Sequence, residues 1–380
     1  MKTGVPGFQG IRLRQAREAT GLSITSLADV VGVSKQAISQ YERGTDAPSQ
    51  AVFDRLRNIL RHEAQFFLKR STPLTAGTCF FRSMAATTKT ARVKAEVWQL
   101  WVRELISYVL TFVEFPPVNF PVFEDLPIEA TSIPFEMIES LAEDLRDYWN
   151  CGDGPIPNLV GVVESNGVVV LRHDLTAETL DALSIWLEPE GFPLVALNSE
   201  KGVYVRSRMD LAHELGHLVL HRHVTADQLR KPEIFRLLED QAFRFGGALL
   251  LPEHSFLEEL YSLSLDALLS LKLKWKVSVA LMIQRLRDLN IASEDHYRRL
   301  RINYSARKWN KLEPYDNETS VEQPLFMSSV VRILVQEGIQ SLDQIVANTG
   351  FSREWVQRLL SLPPSDFDLQ PKVLEFKRRA

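Results

Sequence analysis

At 380 residues the chain is longer than one typical domain, so two or three are expected. Hydrophobic residues at 45% and charged residues at 24% give a globular composition, and no apolar run reaches 18 residues, which excludes a membrane-spanning helix. No basic stretch followed by an apolar one marks a secretory leader, so a cytoplasmic location with no membrane partner is expected. The net charge of −4 argues against a nucleic-acid binder over the whole chain, yet residues 1–62 carry nine basic side chains against five acidic ones, a local excess of four. Cys79 and Cys151 are too few for a disulfide framework or a thiolate zinc site, which leaves metal chemistry to histidine and carboxylates.

From Gln9 to His62 short helical patterns follow one another, beginning with 12–17. Ser23 is placed to cap a helix over 24–31, Gly32 permits a tight turn, and Ser34 caps a helix over 35–43 with Ile38 and Tyr41 inward. Pro48 opens a further helix ending near Leu60. Two short helices joined by a glycine turn make a helix-turn-helix. Residues 27–44 read Leu-Ala-x-x-x-Gly-Val-Ser-x-x-x-Ile-Ser-x-Tyr-Glu-x-Gly, and this stretch resembles the phage-repressor-like (XRE-type) DNA-binding domain. The resemblance implies that the second helix of the motif enters the major groove of a double-stranded operator. It puts Lys35, Gln36, Ser39 and Gln40 at base edges and Arg43 on phosphate. A single such domain binds weakly, so a homodimer on two half-sites is expected.

Residues 1–68 are taken as the helix-turn-helix domain and 69–150 as a helical linker or dimerisation region. In the latter a helical pattern over about 90–113 carries Val97, Trp101, Leu105 and Val109 until Pro116 and Pro117 stop it, and another helix is expected over 135–149. Arg82 and Arg92 are weighed as DNA contacts, with surface or ion-pair roles favoured. Next, 159–163 and 168–171, joined at Asn166-Gly167, are expected to form a β-hairpin. Runs 185–187, 193–197 and 203–205 add strand signals, and the whole stretch 151–305 reads as an α+β catalytic domain.

The chemistry is carried by His213-Glu214-Leu215-Gly216-His217. Histidines four apart lie on one helix face and can grip one metal ion, and Glu214 falls beside that face to accept a proton from water. This is the His-Glu-x-x-His signature of zinc hydrolases. Leu211, Leu215, Leu218 and Val219 form an apolar stripe, while Ala212 and Gly216 let a packed element come close. A hydrolytic zinc needs a third protein ligand. His223 stands ten residues after His213, but the glycine that would turn the chain back is replaced by Leu220. Glu239 lies on the inward face of a second helix with Ala242, Phe245 and Leu249, where a carboxylate is unusual unless paired or metal-bound. Glu239 is therefore favoured, with Asp240 as the fallback.

Residues 208–221, Arg-x-x-x-Ala-His-Glu-Leu-Gly-His-Leu-x-Leu-His, and 239–252, Glu-x-x-Ala-x-x-Phe-Gly-x-x-Leu-Leu-Leu-Pro, are similar to the ImmA/IrrE family of metallo-endopeptidases. Members with an N-terminal repressor-like domain are common, and a helix over 274–280 fits as well. The resemblance implies a gluzincin-like zinc site of His213, His217 and Glu239, with Glu214 as the catalytic base that passes the proton to the leaving amine. It further implies a protein substrate such as a repressor or antitoxin, cleaved in a stress or mobile-element response. Phe243, at a usually polar position, and Gly246, in place of alanine, depart from the pattern. Tyr204, His254 and Tyr261 are the side-chain candidates for stabilising an oxyanion.

The remaining stretch, 306–380, is expected to be helical, including 328–336. Ile345, Gly350, Ser352 and Val356 repeat the spacing of Leu27, Gly32, Ser34 and Ile38, which suggests a second helix-turn-helix-like unit. Its second helix carries Glu354 beside Arg353 and Arg358, so packing or protein docking ranks with DNA contact. The fold expected is multidomain and mainly α: an all-α helix-turn-helix domain, an α+β gluzincin-like zinc peptidase domain and a helical C-terminal region. The rival reading is a DNA-binding regulator or antitoxin in which the zinc fold only senses or scaffolds.

Overall fold

A computed structural model describes residues 4–71, 79–81, 88–173, 181–187, 191–199 and 202–368. Arg82, weighed above as a DNA contact, lies outside them. Five helices form the N-terminal domain: α1 (Gly10–Thr20), α2 (Ile24–Val31), α3 (Lys35–Arg43), α4 (Gln50–Leu60) and α5 (Ala64–Leu68). The side chain of Ser23 accepts from the Ser26 amide and that of Ser34 from the Ala37 amide, so α2 and α3 each start on a serine cap. Between them Gly32 sits at φ 74°, the left-handed conformation that closes α2 in one residue.

A short strand β1 (Cys79–Phe81), the long helix α6 (Lys89–Val109) and α7 (Phe135–Tyr148) follow. Then come α8 (Leu159–Ser165), β2 (Val169–His173), β3 (Ala182–Leu187), β4 (Phe192–Asn198) and α9 (Tyr204–Leu220). The expected hairpin at 159–171 is therefore corrected to a helix followed by a strand. A short apolar run does not distinguish the two by periodicity, and here Asn158 caps α8 by accepting from the Gly161 amide at 3.0 Å. Asn166-Gly167 closes that helix, and β2 pairs in parallel with β4. Residues 204 and 205 likewise belong to the first turn of α9, not to a strand.

The sheet runs β1-β3-β4-β2, with β1 antiparallel to β3, β3 antiparallel to β4 and β2 parallel to β4. The peptidase half continues with α10 (Ala226–Leu229), α11 (Pro232–Leu250), α12 (Glu253–Glu258), α13 (Leu265–Trp275), α14 (Val279–Asp288) and α15 (Glu294–Ala306). The helix expected over 274–280 is also corrected: α13 stops at Trp275, Lys276 turns at φ 57°, and Ser278 caps α14. The C-terminal stretch supplies α16 (Phe326–Gln336), α17 (Leu342–Thr349) and α18 (Arg353–Leu359).

Two cores lie on opposite faces of the sheet. Val170, Val195 and Leu197 point into the core of α7 to α9, α11 and α13 to α15. Leu171, Leu183, Ile185, Leu194 and Ala196 point into the core built from the N-terminal domain, α6 and α16 to α18. The region 69–150 thus gives α6 to one core and α7 to the other. Between α17 and α18 Gly350 repeats the left-handed turn at φ 81°, and a Cβ there would lie 2.7 Å from the Phe66 amide nitrogen. The C-terminal helix pair is packed directly on α5.

Candidate metal centre and DNA-facing helix

Two helices build the centre. α9 and α11 cross so closely that a Cβ on Gly216 would lie 2.9 Å from the Ala242 carbonyl oxygen. One on Gly246 would lie 3.0 Å from the His213 amide nitrogen. The glycine in place of alanine at 246 is thus where α11 touches the backbone of the first histidine. The approach brings His213, His217 and Glu239 together. Their donor atoms stand 3.1 Å apart between the two Nε2 atoms, 3.4 Å from His213 Nε2 to Glu239 Oε2 and 3.2 Å from His217 Nε2 to Glu239 Oε1. Ligands about 2.0–2.1 Å from a tetrahedral zinc lie roughly 3.3 Å from one another, so this triangle has the size the ion requires.

Burial pushes the Glu239 carboxyl up, but hydrogen bonds and charge from His213 and His217 outweigh it and bring it down to about 2. It is therefore a carboxylate at neutral pH, the form a metal needs. Asp240 is exposed on α11, and His223 is exposed beyond the end of α9; neither joins the cluster.

Behind the triangle runs a chain of hydrogen bonds that fixes how His217 presents its lone pair. The Gln241 amide nitrogen donates to the carbonyls of Ala130 at 2.9 Å and Ile133 at 3.1 Å, and carbonyls only accept. Gln241 Oε1 consequently faces His221 Nε2 at 3.0 Å and takes its proton in the bond. Burial holds His221 neutral, well below the usual histidine range, so its Nδ1 is the acceptor. His217 Nδ1, 2.9 Å away, must then donate, which leaves His217 Nε2 to bind through its lone pair. His221 and Gln241 were given no role above, although the third histidine at the same four-residue interval was a visible signal.

Glu214 has no exposed surface, and its Oε2 accepts from Ser184 Oγ at 2.5 Å. Ser184, also fully buried, is the polar interruption of the apolar strand β3 and was missed for want of a partner in the sequence. The oxyanion candidates lie elsewhere: Tyr204 donates to Glu322 at 3.3 Å, His254 pairs with Glu258 at 3.2 Å and Tyr261 is exposed. Arg208, one turn before His213, is bound by Glu322 and by the Ile156 carbonyl at 2.8 Å, which anchors α9 to α8's approach segment.

A model for the IrrE N-terminal-like domain of the M78 peptidases matches residues 163–287, a span that holds the whole triangle, and a helix-turn-helix model matches 13–62. The chain joins a helix-turn-helix DNA-binding domain to an ImmA/IrrE-like M78 peptidase domain. No curated relative matches the chain. The M78 domain is metallopeptidase-like in family and in its donor set of two histidines and a carboxylate. No helix among the described residues is long and apolar enough to cross a membrane.

In the helix-turn-helix domain α3 buries Ile38 and Tyr41 and leaves Lys35, Gln36, Gln40 and Arg43 exposed, with Ser39 half-buried. The Arg43 Nε donates to the Ser39 carbonyl at 3.1 Å. Arg17 of α1 grips Glu42 at 2.5 Å, locking the back of α3 to the domain. Arg92 on α6 is half-buried and lies outside α3.

Proposed function

We propose that the chain is a DNA-binding transcriptional regulator with a zinc-dependent endopeptidase activity directed at another protein, a repressor or antitoxin, in a stress or mobile-element response. The observation that carries this reading is the His213–His217–Glu239 triangle with the Glu214 carboxylate beside it. Bound there, zinc would polarise the scissile carbonyl and make water acidic enough to attack near neutral pH. Glu214 would accept the water's proton and hand it to the leaving amine, with Ser184 holding the carboxylate's other side. Lys35, Gln36, Ser39 and Gln40 would read bases and Arg43 a phosphate, as a homodimer on two half-sites.

The test is metal analysis of the purified protein together with incubation of zinc-loaded protein with candidate repressors and antitoxins. Cleavage by the native protein and none by Glu214→Gln supports the reading. No cleavage, with the cellular effect of Glu214→Gln unchanged, sinks it. One observation favours the rival in which the zinc fold senses or scaffolds: Glu214, His213 and His217 are all enclosed, at 0–1% exposure. Promoter binding that persists unchanged after zinc removal, without proteolysis, would decide for it.

A further inference from the structure

A cavity of about 290 Å³ opens where the ends of α1 and α4, the long helix α6, the end of β2 and α18 meet. It shares no residue with the metal triangle, and its size is near the lower end of small-molecule sites, roughly 300 Å³ and upwards. Its walls are aromatic. Trp98 stacks on His173 with ring centres 5.2 Å apart, and the half-buried Trp355 rests edge-on against the fully buried Trp101 at 4.9 Å. Its mouth is cationic, with Arg61, Lys94 and Arg358 around a single carboxylate, Glu354, an excess of two positive charges.

That carboxylate is shared at long range, 3.8 Å from Arg61 and 3.6 Å from Arg358, so it holds neither guanidinium in a tight fork. Lys94 makes no ion pair among the described residues. Trp98 is 4% exposed, and its buried indole N–H finds no acceptor among the described residues. A buried donor without an acceptor is costly, and a ligand atom is one way to supply it. The Arg358 guanidinium already lies 5.3 Å over the Trp355 ring, the arrangement that receives an aromatic ring and a negative group side by side.

We propose that this seam cavity binds a planar aromatic anion, its ring beside the Arg358–Trp355 stack and the edge of Trp98 and its negative group between Arg358, Arg61 and Lys94. Two sources offer that chemistry, a nucleotide and an aromatic carboxylate. The walls come from the DNA-binding domain, the peptidase sheet and the C-terminal helices at once, so an occupant touches all three.

The full chain is titrated by tryptophan fluorescence with AMP, GMP and UMP in one arm and with 4-hydroxybenzoate and indole-3-acetate in the other. Inorganic phosphate and acetate serve as ring-free controls. The expected result is saturable quenching by members of one arm, which names the source, with binding about tenfold or more weaker in both Arg358→Ala and Lys94→Ala. Lys94 is half-buried and makes no ion pair among the described residues, so its variant keeps the test open if loss of Arg358 unfolds the seam. Three results overturn the proposal: no saturable change with any aromatic anion at millimolar concentration, an equal response to phosphate or acetate, or unaltered affinity in the Lys94→Ala protein.

Discussion

His221 reaches no ligand position, yet the bond from His217 Nδ1 ends on it. Outer partners of metal-bound histidines commonly set affinity by about 10- to 100-fold, so His221→Ala should weaken zinc binding by that factor, read by competition with a chelator of known affinity. Glu214→Gln should do the opposite: full zinc content, with cleavage of a susceptible protein reduced ~100- to 10,000-fold. Equal loss of zinc in the two variants would refute this division of labour. One source of acid sensitivity lies away from the metal centre. His62 stacks on Phe66 at 4.0 Å and on Trp355 at 5.6 Å, and burial, helped by the charge of Arg12, lowers it from 6.5 to about 3. The folded state therefore refuses a proton that the unfolded chain accepts. The stabilisation is complete above about pH 6.5 and is lost as pH falls toward 3, at up to ~1.4 kcal/mol per pH unit. Urea unfolding across that window should show a shallower slope for His62→Phe, and an unchanged slope would remove His62 from the account.

Between helices, the geometry of the metal triangle depends on how near α9 and α11 can come. Gly216→Val places its side chain against the Ala242 backbone, 2.9–3.0 Å from the first atom added, and should cost about 1–3 kcal/mol of stability and weaken zinc binding with it. Urea denaturation and a zinc titration on the same protein check both. Much of this was legible beforehand, because four-residue spacing on a helix is a local rule: His213, His217 and the inward Glu239 are all read from periodicity. The serine caps and glycine turn of α2 and α3 are equally local. What the sequence concealed was non-local. Whether 159–163 becomes strand or helix depends on Asn158 and on the partner that β2 chooses, and here β2 chose β4. Ser184 meets Glu214 only because β3 and α9 are laid together, and Gln241 earns its place from two carbonyls over a hundred residues away.

At the scale of the whole chain, the DNA-binding domain is not tethered at a distance from the peptidase half. It shares a core with α6 and the C-terminal helices, where Phe66, Trp101 and Phe351 are fully buried. The helix pair α17 and α18 has the capped, glycine-turned form of α2 and α3, but its turn faces α5 and its Trp355 lies on His62. In this position it acts as a brace. The sheet is the common wall of both halves, and along it the side chains take sides in strict alternation. On β3 the even-numbered Ser184 and Trp186 bond to Glu214 and the Leu218 carbonyl, whereas the odd-numbered Leu183, Ile185 and Leu187 join the other core. On β4, paired antiparallel so that Ser184 faces Val195, the parity is reversed. A saturation scan of these thirteen positions, scored separately for zinc binding and for operator binding, should therefore come out as two interleaved combs, with the teeth exchanged from one strand to the next.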